Sequence, residues 1–212
     1  MFTGAHTMDP TLFLRGLVLG FTIAAAVGPI SLLCIRRTLA QGRLVGLVSG
    51  MGVATADATY GAVAAFGLTA VTDLLVDWRR VLGMVGGAFL LWLAWRTFRS
   101  VPGEAASTGT NGRRGLPGAY LSTLGLTLTN PMTILSFAAL FVGLGATGGD
   151  AAGAISLTLG VFAGSAAWWV VLVTAVGAFR SRLTPGGLRR VNVVSGLIIG
   201  AFAVVAVASA IA

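Results

Sequence analysis

The chain has no lysine, one cysteine, one histidine and six acidic residues among its 212. Each scarcity excludes a class of chemistry. With Cys34 alone, neither an intramolecular disulfide nor a Cys-x-x-Cys redox pair can form, so a membrane enzyme passing electrons through paired thiols is excluded. His6 lies in the polar N-terminal stretch and has no neighbouring Cys or His, so no transition-metal ligand cluster is encoded. No phosphate-cradling P-loop occurs, which argues against direct ATP coupling within the chain. No cofactor and no enzymatic site is expected. Charged residues make up 9% of the chain, against about 25% in soluble domains. The net charge of +8 comes from fourteen arginines that mostly flank apolar spans. A nucleic-acid footprint would instead cluster on one soluble face, so nucleic acid is not an expected partner.

What the chain has in abundance is apolar sequence. Hydrophobic residues make up 56% and the mean hydropathy is +0.93. A hydrocarbon core of about 30 Å takes roughly 20 helical residues. Six segments satisfy this: 12–35, 44–70, 80–98, 117–145, 152–177 and 190–211. The third is the shortest in apolar terms, running only from Val81 to Ala94, with Arg80 and Arg96 placed to snorkel to the two interfaces. Ala24-Ala25-Ala26 resembles a signal-peptide cleavage site, but the apolar stretch continues to Ile35 and is read as a retained span. Met8-Asp9-Pro10 offers an alternative start, which would make residues 1–7 an extension. The fold class read from this pattern is an all-α membrane protein with a polar N-terminus over 1–11. Three helices follow over 12–99, then a Gly/Ser/Thr/Pro-rich linker over 100–116, then three more helices over 117–212.

Arginine reports the direction of the spans. Arg36, Arg37 and Arg43, then Arg96, Arg99, Arg113 and Arg114, then Arg180, Arg182, Arg189 and Arg190 all fall on one side. Only Arg15, Arg79 and Arg80 fall on the other. The positive-inside rule puts the first set in the cytoplasm, with both termini and Asp73, Asp77 and Asp150 outside. Glycines recur every four residues at Gly16/Gly20, Gly42/Gly46/Gly50, Gly83/Gly87, Gly160/Gly164 and Gly196/Gly200. Such faces let helix backbones approach closely, within the bundle or in a homodimer.

Two spans carry a proline inside similar sequence: Gly28-Pro29-Ile30-Ser31-Leu32-Leu33 in the first and Asn130-Pro131-Met132-Thr133-Ile134-Leu135 in the fourth. Proline lacks an amide hydrogen and clashes with the carbonyl four residues back, so both helices are expected to break. The match extends to Gly52–Tyr60 against Gly160–Trp168, which sets Asp57 against Ser165 and Tyr60 against Trp168. It extends also to Arg79-Arg80-Val81 against Arg189-Arg190-Val191. Three collinear pairs with opposed direction describe two inverted three-helix repeats. In such transporters the site lies near the midplane, at the broken helices.

The candidate site follows. Asp57 is the one acidic residue deep in a span, where a carboxylate costs about 2.5–3.5 kcal/mol on insertion scales. It must face the interior, find a partner or exchange a proton, which suits a proton carrier or an ammonium-binding group. The alternative is a structural acid satisfied by Thr55 or Thr59. Amides exposed after Pro29 and Pro131 would sit at helix N-termini, which favour anions such as a substrate carboxylate. Gly28, Ser31, Asn130, Thr133, Tyr60, Ser165 and Trp168 complete the expected substrate-binding set. Trp169 is also mid-span, whereas Trp92 and Trp95 read as interfacial belt residues. Thr127 and Thr129 are expected to bond back to their own helix.

At these residues the chain resembles the lysine exporter (LysE/RhtB) family of amino-acid efflux transporters. The resemblance rests on Gly28–Leu33, Arg37-Thr38-Leu39-Ala40-Gln41-Gly42 with Gly46, Gly50 through Asp57-Ala58-Thr59-Tyr60, Phe66-Gly67-Leu68 and Leu128–Ile134. One departure is Val27, where the family commonly has the first proline of Pro-Gly-Pro. The resemblance implies secondary active export of amino acids or related metabolites, driven by an ion gradient, from a bacterial inner (plasma) membrane. The mechanism expected is proton-coupled antiport with Asp57 as the coupling residue and an amino acid as substrate. An inorganic or metal-ion exporter of the same superfamily and a non-transporting membrane subunit are the competing readings.

Overall fold

The computed structural model describes residues 9–26, 28–66, 77–99, 115–130, 132–137, 151–179 and 184–211. All regular structure among them is helical: α1 Pro10–Ala25, α2 Pro29–Gln41, α3 Arg43–Ala65, α4 Arg79–Arg99, α5 Leu116–Leu128, α6 over 132–137, α7 Ala151–Phe179 and α8 Pro185–Ile211. Residues 1–7, Val27, Asp73, most of the linker, Arg113, Arg114, Pro131, Asp150, Arg180 and Arg182 lie outside the described residues.

Local chemistry explains the element ends. Asp9 caps α1, its carboxylate accepting from the amides of Thr11 and Leu12 at 2.8 and 3.4 Å, with Pro10 in the first turn. Thr184 does the same for α8, accepting from Gly187 N–H at 3.1 Å ahead of Pro185. The first span breaks after Ala25, and α2 restarts at Pro29, bent by 78° from α1. Helix α2 then runs to Gln41, further than the apolar stretch alone suggests. A single residue, Gly42 with φ 104°, turns the chain into α3. That left-handed φ is open to glycine and costly for a residue with a Cβ.

Arg36 and Arg37 are therefore helical residues and not loop residues, and both reach into the bundle. Arg36 Nε donates to Asn192 Oδ1 of α8 at 3.1 Å. Arg37 donates to Ser49 Oγ of α3, to the Ala119 carbonyl and to Ser122 Oγ of α5, at 2.9, 2.9 and 2.7 Å.

Helices α3 and α7 pack at the centre. Helix α1 lies on α7, α5 on α3, and α4 on α8, while α2 touches α3, α7 and α8. The α1–α7 seam uses the glycines flagged in the sequence. A methyl on Gly16 or Gly20 would strike the carbonyls of Leu157 or Val161, and one on Gly160 or Gly164 would strike those of Phe13 or Leu17. These faces are consumed within the protomer. Outward-facing apolar side chains such as Leu14, Val18, Leu121, Val171, Leu197 and Val205 are more than half exposed. A bundle apolar on its outer surface suits hydrocarbon and not water.

Among the described residues, α7 alone is long and apolar enough to cross a bilayer as one helix, and the bent α1–α2 pair makes a second. The second, third and fourth expected spans fall short by the same measure for identifiable reasons. Helix α3 carries Asp57 within a Gly-, Ser- and Thr-containing sequence. The apolar part of α4 is only Arg80–Trp95. The fourth expected span, 117–145, has residues 138–145 outside the described residues.

Candidate functional site

A cavity of about 200 Å3 opens at the break between α1 and α2. Its walls come from five directions: Ile23, Ala24 and Ala26 at the end of α1 with Gly28, Pro29, Ile30 and Ser31 opening α2; Val53 and Asp57 of α3; Thr127 and Asn130 closing α5; Met132, Thr133 and Ser136 of α6; and Trp169 of α7. The volume is below the roughly 300–1,000 Å3 of clefts that take drug-sized ligands, and in scale with a small metabolite. A mid-bundle cavity lined by a broken helix is where irregular backbone is tolerated at membrane depth.

Asp57 is 2% exposed. Its Oδ2 accepts from Ser165 Oγ at 2.7 Å, a well-formed O–H···O distance. Thr55 and Thr59 do not hold it, because their hydroxyls donate to their own helix at Met51 and Thr55 carbonyls, 2.9 and 2.8 Å away. The carboxylate is thus anchored by the neighbouring helix while its residue still lines the cavity.

The two breaks differ in how their ends are satisfied. At the first, Gly28 precedes α2 with no side-chain cap, and no atom lies within 4 Å of where a Cβ on Gly28 would stand. Ser31 Oγ donates back across the break to the Ala26 carbonyl at 3.4 Å. At the second, Asn130 caps its own break: its Oδ1 accepts from Met132 N–H and its carbonyl from Ile134 N–H, both at 3.1 Å. Met132 N–H would serve the Leu128 carbonyl in an unbroken helix. Tyr60 supplies the substitute, its hydroxyl donating to Leu128 O at 2.6 Å.

The LysE type translocator family model matches residues 21–210. The chain belongs to this family. It is 32% identical over 209 residues to "Uncharacterized membrane protein YahN" of Escherichia coli K12, covering 96% of this chain and 92% of that protein. It is 24% identical over 190 residues to "Putative amino acid efflux protein YcgF" of Bacillus subtilis, covering 88% and 90%. No solved structure matches it.

In this LysE type translocator, then, a membrane protein, the residues expected from sequence divide into groups. Gly28, Pro29, Ser31, Asp57, Asn130 and Thr133 come together around one cavity. Ser165 stands behind Asp57, holding its carboxylate. Pro131 lies outside the described residues. Tyr60 is 4% exposed, is absent from the cavity wall, and stacks on Phe137 with ring centroids 5.5 Å apart. Trp168 packs edge-on against Phe21 of α1, with centroids at 5.4 Å, and does not line the cavity. Trp169 does, along with Thr127 and Ser136, which the sequence reading did not place in the site. Thr127 and Thr129 bond back to Thr123 and Gly125 carbonyls as expected, at 2.8 and 2.9 Å. A signal for Trp169 is present in the sequence: it lies four residues after Ser165, on the same helical face, whereas Trp168 stands out only by its alignment with Tyr60.

Proposed function

We propose that this chain is a secondary active exporter of small amino acids, working as a proton-coupled antiporter by alternating access. The observation that carries the reading is the cavity at the first break. It is lined both by one buried carboxylate, Asp57, and by Ile30 and Ser31 from the first turn of α2, which no side chain caps. A zwitterion needs an anion for its ammonium and a helix N-terminus for its carboxylate, and this cavity offers one of each. The matched relative whose name describes amino acid efflux supports the cargo class. Asp57 is the only acidic residue deep in a span, so a substrate whose ammonium uses it finds no second anion there. The remaining wall, with Ile23, Ile30, Val53 and Met132, is apolar. Neutral side chains suit it better than lysine or arginine. Among the described residues no three His, Cys, Asp or Glu gather, which favours an amino acid over a metal ion as cargo.

Helix pairing supports two inverted three-helix repeats. Exchanging the halves turns α1 on α7 into α5 on α3, and both contacts exist, while α3–α7 and α4–α8 exchange into themselves. Asp57 and Ser165, equivalent in the repeat alignment, touch directly at 2.7 Å, as residues at a pseudo-two-fold axis should. Rocking of the halves about that axis would carry the cavity from one side to the other. Because a ligand moves such an equilibrium only through different affinities for the two states, protonation of Asp57 is the switch. The arginine asymmetry favours an orientation with both termini outside, in what we take to be a bacterial inner membrane.

The test is flux from proteoliposomes holding a panel of neutral and basic amino acids, with and without a pH gradient. Wild type should carry neutral amino acids faster when the gradient is imposed. Asp57→Asn, which can still accept from Ser165, should fold and lose the gradient-driven component. Gradient-driven flux at the wild-type rate in Asp57→Asn would refute the proton role, and no amino-acid flux in wild type would refute the export reading.

A further inference from the structure

We propose that Trp169 is a further substrate-binding residue, whose indole N–H donates to the substrate carboxylate held at the start of α2. The assignment rests on the export reading above. Trp169 is 1% exposed, and its Nε1 has no hydrogen-bond partner. Upwards of about 90% of buried polar groups have one, so an orphan is informative. Indole is a donor only, so whatever satisfies it must bring an acceptor. Trp169 lines the same cavity as Ile30, Ser31 and Asp57, and packs in one apolar cluster with Ile30. Its position is fixed: the ring root presses on Gly50, where an added Cβ would stand 2.5 Å from Trp169 Cβ. It lies one turn from Ser165, on the face of α7 that meets Asp57.

The cavity therefore presents a sorted set of groups. Its carboxylate takes a cation and its uncapped amides take an anion, and the indole N–H, itself closed to solvent beside the cavity, is assigned to that same anion. A ligand carrying an ammonium and a carboxylate on one carbon satisfies both, and a simple amine leaves the indole unpaired. Trp168 supplies an internal control. Its Nε1 is also buried without a partner, but it packs on Phe21 and lies outside the cavity wall.

The experiment uses the full chain labelled with 15N-indole tryptophan, which gives five indole signals, assigned by the other four Trp→Phe variants so that Trp169→Phe need not fold. The probes are the neutral amino acid that wild type carries best in the flux panel and the amine made by removing its carboxylate. At saturation the Trp169 signal should move with the amino acid and stay with the amine, while Trp168 stays with both. In proteoliposomes Trp169→Phe should raise KM about tenfold with a smaller change in kcat, and Trp168→Phe should leave KM within about twofold. A Trp169 signal unmoved at saturating amino acid overturns the assignment while wild-type flux leaves export standing. An equal shift with the amine overturns the carboxylate as its partner. Absence of wild-type flux for every amino acid overturns both.

Discussion

Tyr60→Phe removes one oxygen and keeps the ring. In the sequence Tyr60 is a candidate substrate contact, one turn from Asp57. In the fold its hydroxyl ends at the Leu128 carbonyl, 2.6 Å away, and its ring stacks on Phe137. The bond exists because the fourth span is broken. Met132 N–H goes to Asn130 Oδ1, so the Leu128 carbonyl at the end of α5 is left for another donor. Phenylalanine retains the packing and strands that carbonyl, which is half-buried where the Tyr60 hydroxyl reaches it. Leaving a buried acceptor unpaired costs about 1–3 kcal/mol. For a chain of this size each kcal/mol moves the melting temperature by roughly 2–4 °C, so the expected loss is roughly 2–12 °C.

The assay is thermal unfolding of the purified protein in detergent, paired with flux measurements on the same preparation. The two roles differ in these readouts. A break-capping tyrosine lowers stability and leaves KM nearly unchanged at temperatures where the variant is folded. A substrate-binding tyrosine raises KM and leaves the melting temperature alone. An unchanged melting temperature with a KM raised severalfold would refute the capping assignment and return Tyr60 to the binding site.

Two further substitutions test the packing and the turn. Gly164→Leu puts a side chain against the Leu17 carbonyl on the α1–α7 seam, where helix backbones meet. Overpacking costs about 1–3 kcal/mol and more against backbone, so the yield of folded protein should collapse, as measured by size-exclusion profile. Gly42→Ala forces a Cβ into φ 104° between α2 and α3 and should cost about 1–2 kcal/mol, read as a lower melting temperature, whereas Gly118→Ala, with open space at its Cβ, should be neutral.

The parts of this site legible in the sequence are those fixed by covalent chemistry. A proline in an apolar span must break it, and α2 begins at Pro29. A lone carboxylate in a span must be buried against something, and the repeat alignment named the residue, Ser165, that holds it. Rotamers and partners decided the rest, and these leave a fainter trace. Arg36 and Arg37 count as cytoplasmic flags by composition, but α2 extends to Gln41 and both side chains tie it to α3, α5 and α8. Of two adjacent tryptophans, helical phase alone sends Trp169 into the cavity and Trp168 onto Phe21. Which amide an asparagine caps is likewise invisible until its side chain is placed.

That last point changes what the paired prolines mean. Gly28-Pro29 and Asn130-Pro131 match in sequence, and symmetry suggests two equivalent anion sites. The residue before each proline removes the equivalence. Glycine has no side chain to cap with, so the first turn of α2 has no side-chain cap and the space where a Gly28 Cβ would stand is open. Asparagine satisfies the second break from within, and Tyr60 closes the carbonyl that Asn130 leaves behind. The first break thus lacks a side-chain cap, whereas the second is capped by its own asparagine. The single membrane-depth carboxylate of the chain is paired across the axis with a serine, so charge is asymmetric too. Under the antiport proposed above, two halves that move alike would carry an asymmetric site, because the groups that differ between them gather at Pro29, Asp57 and the α7 face behind them.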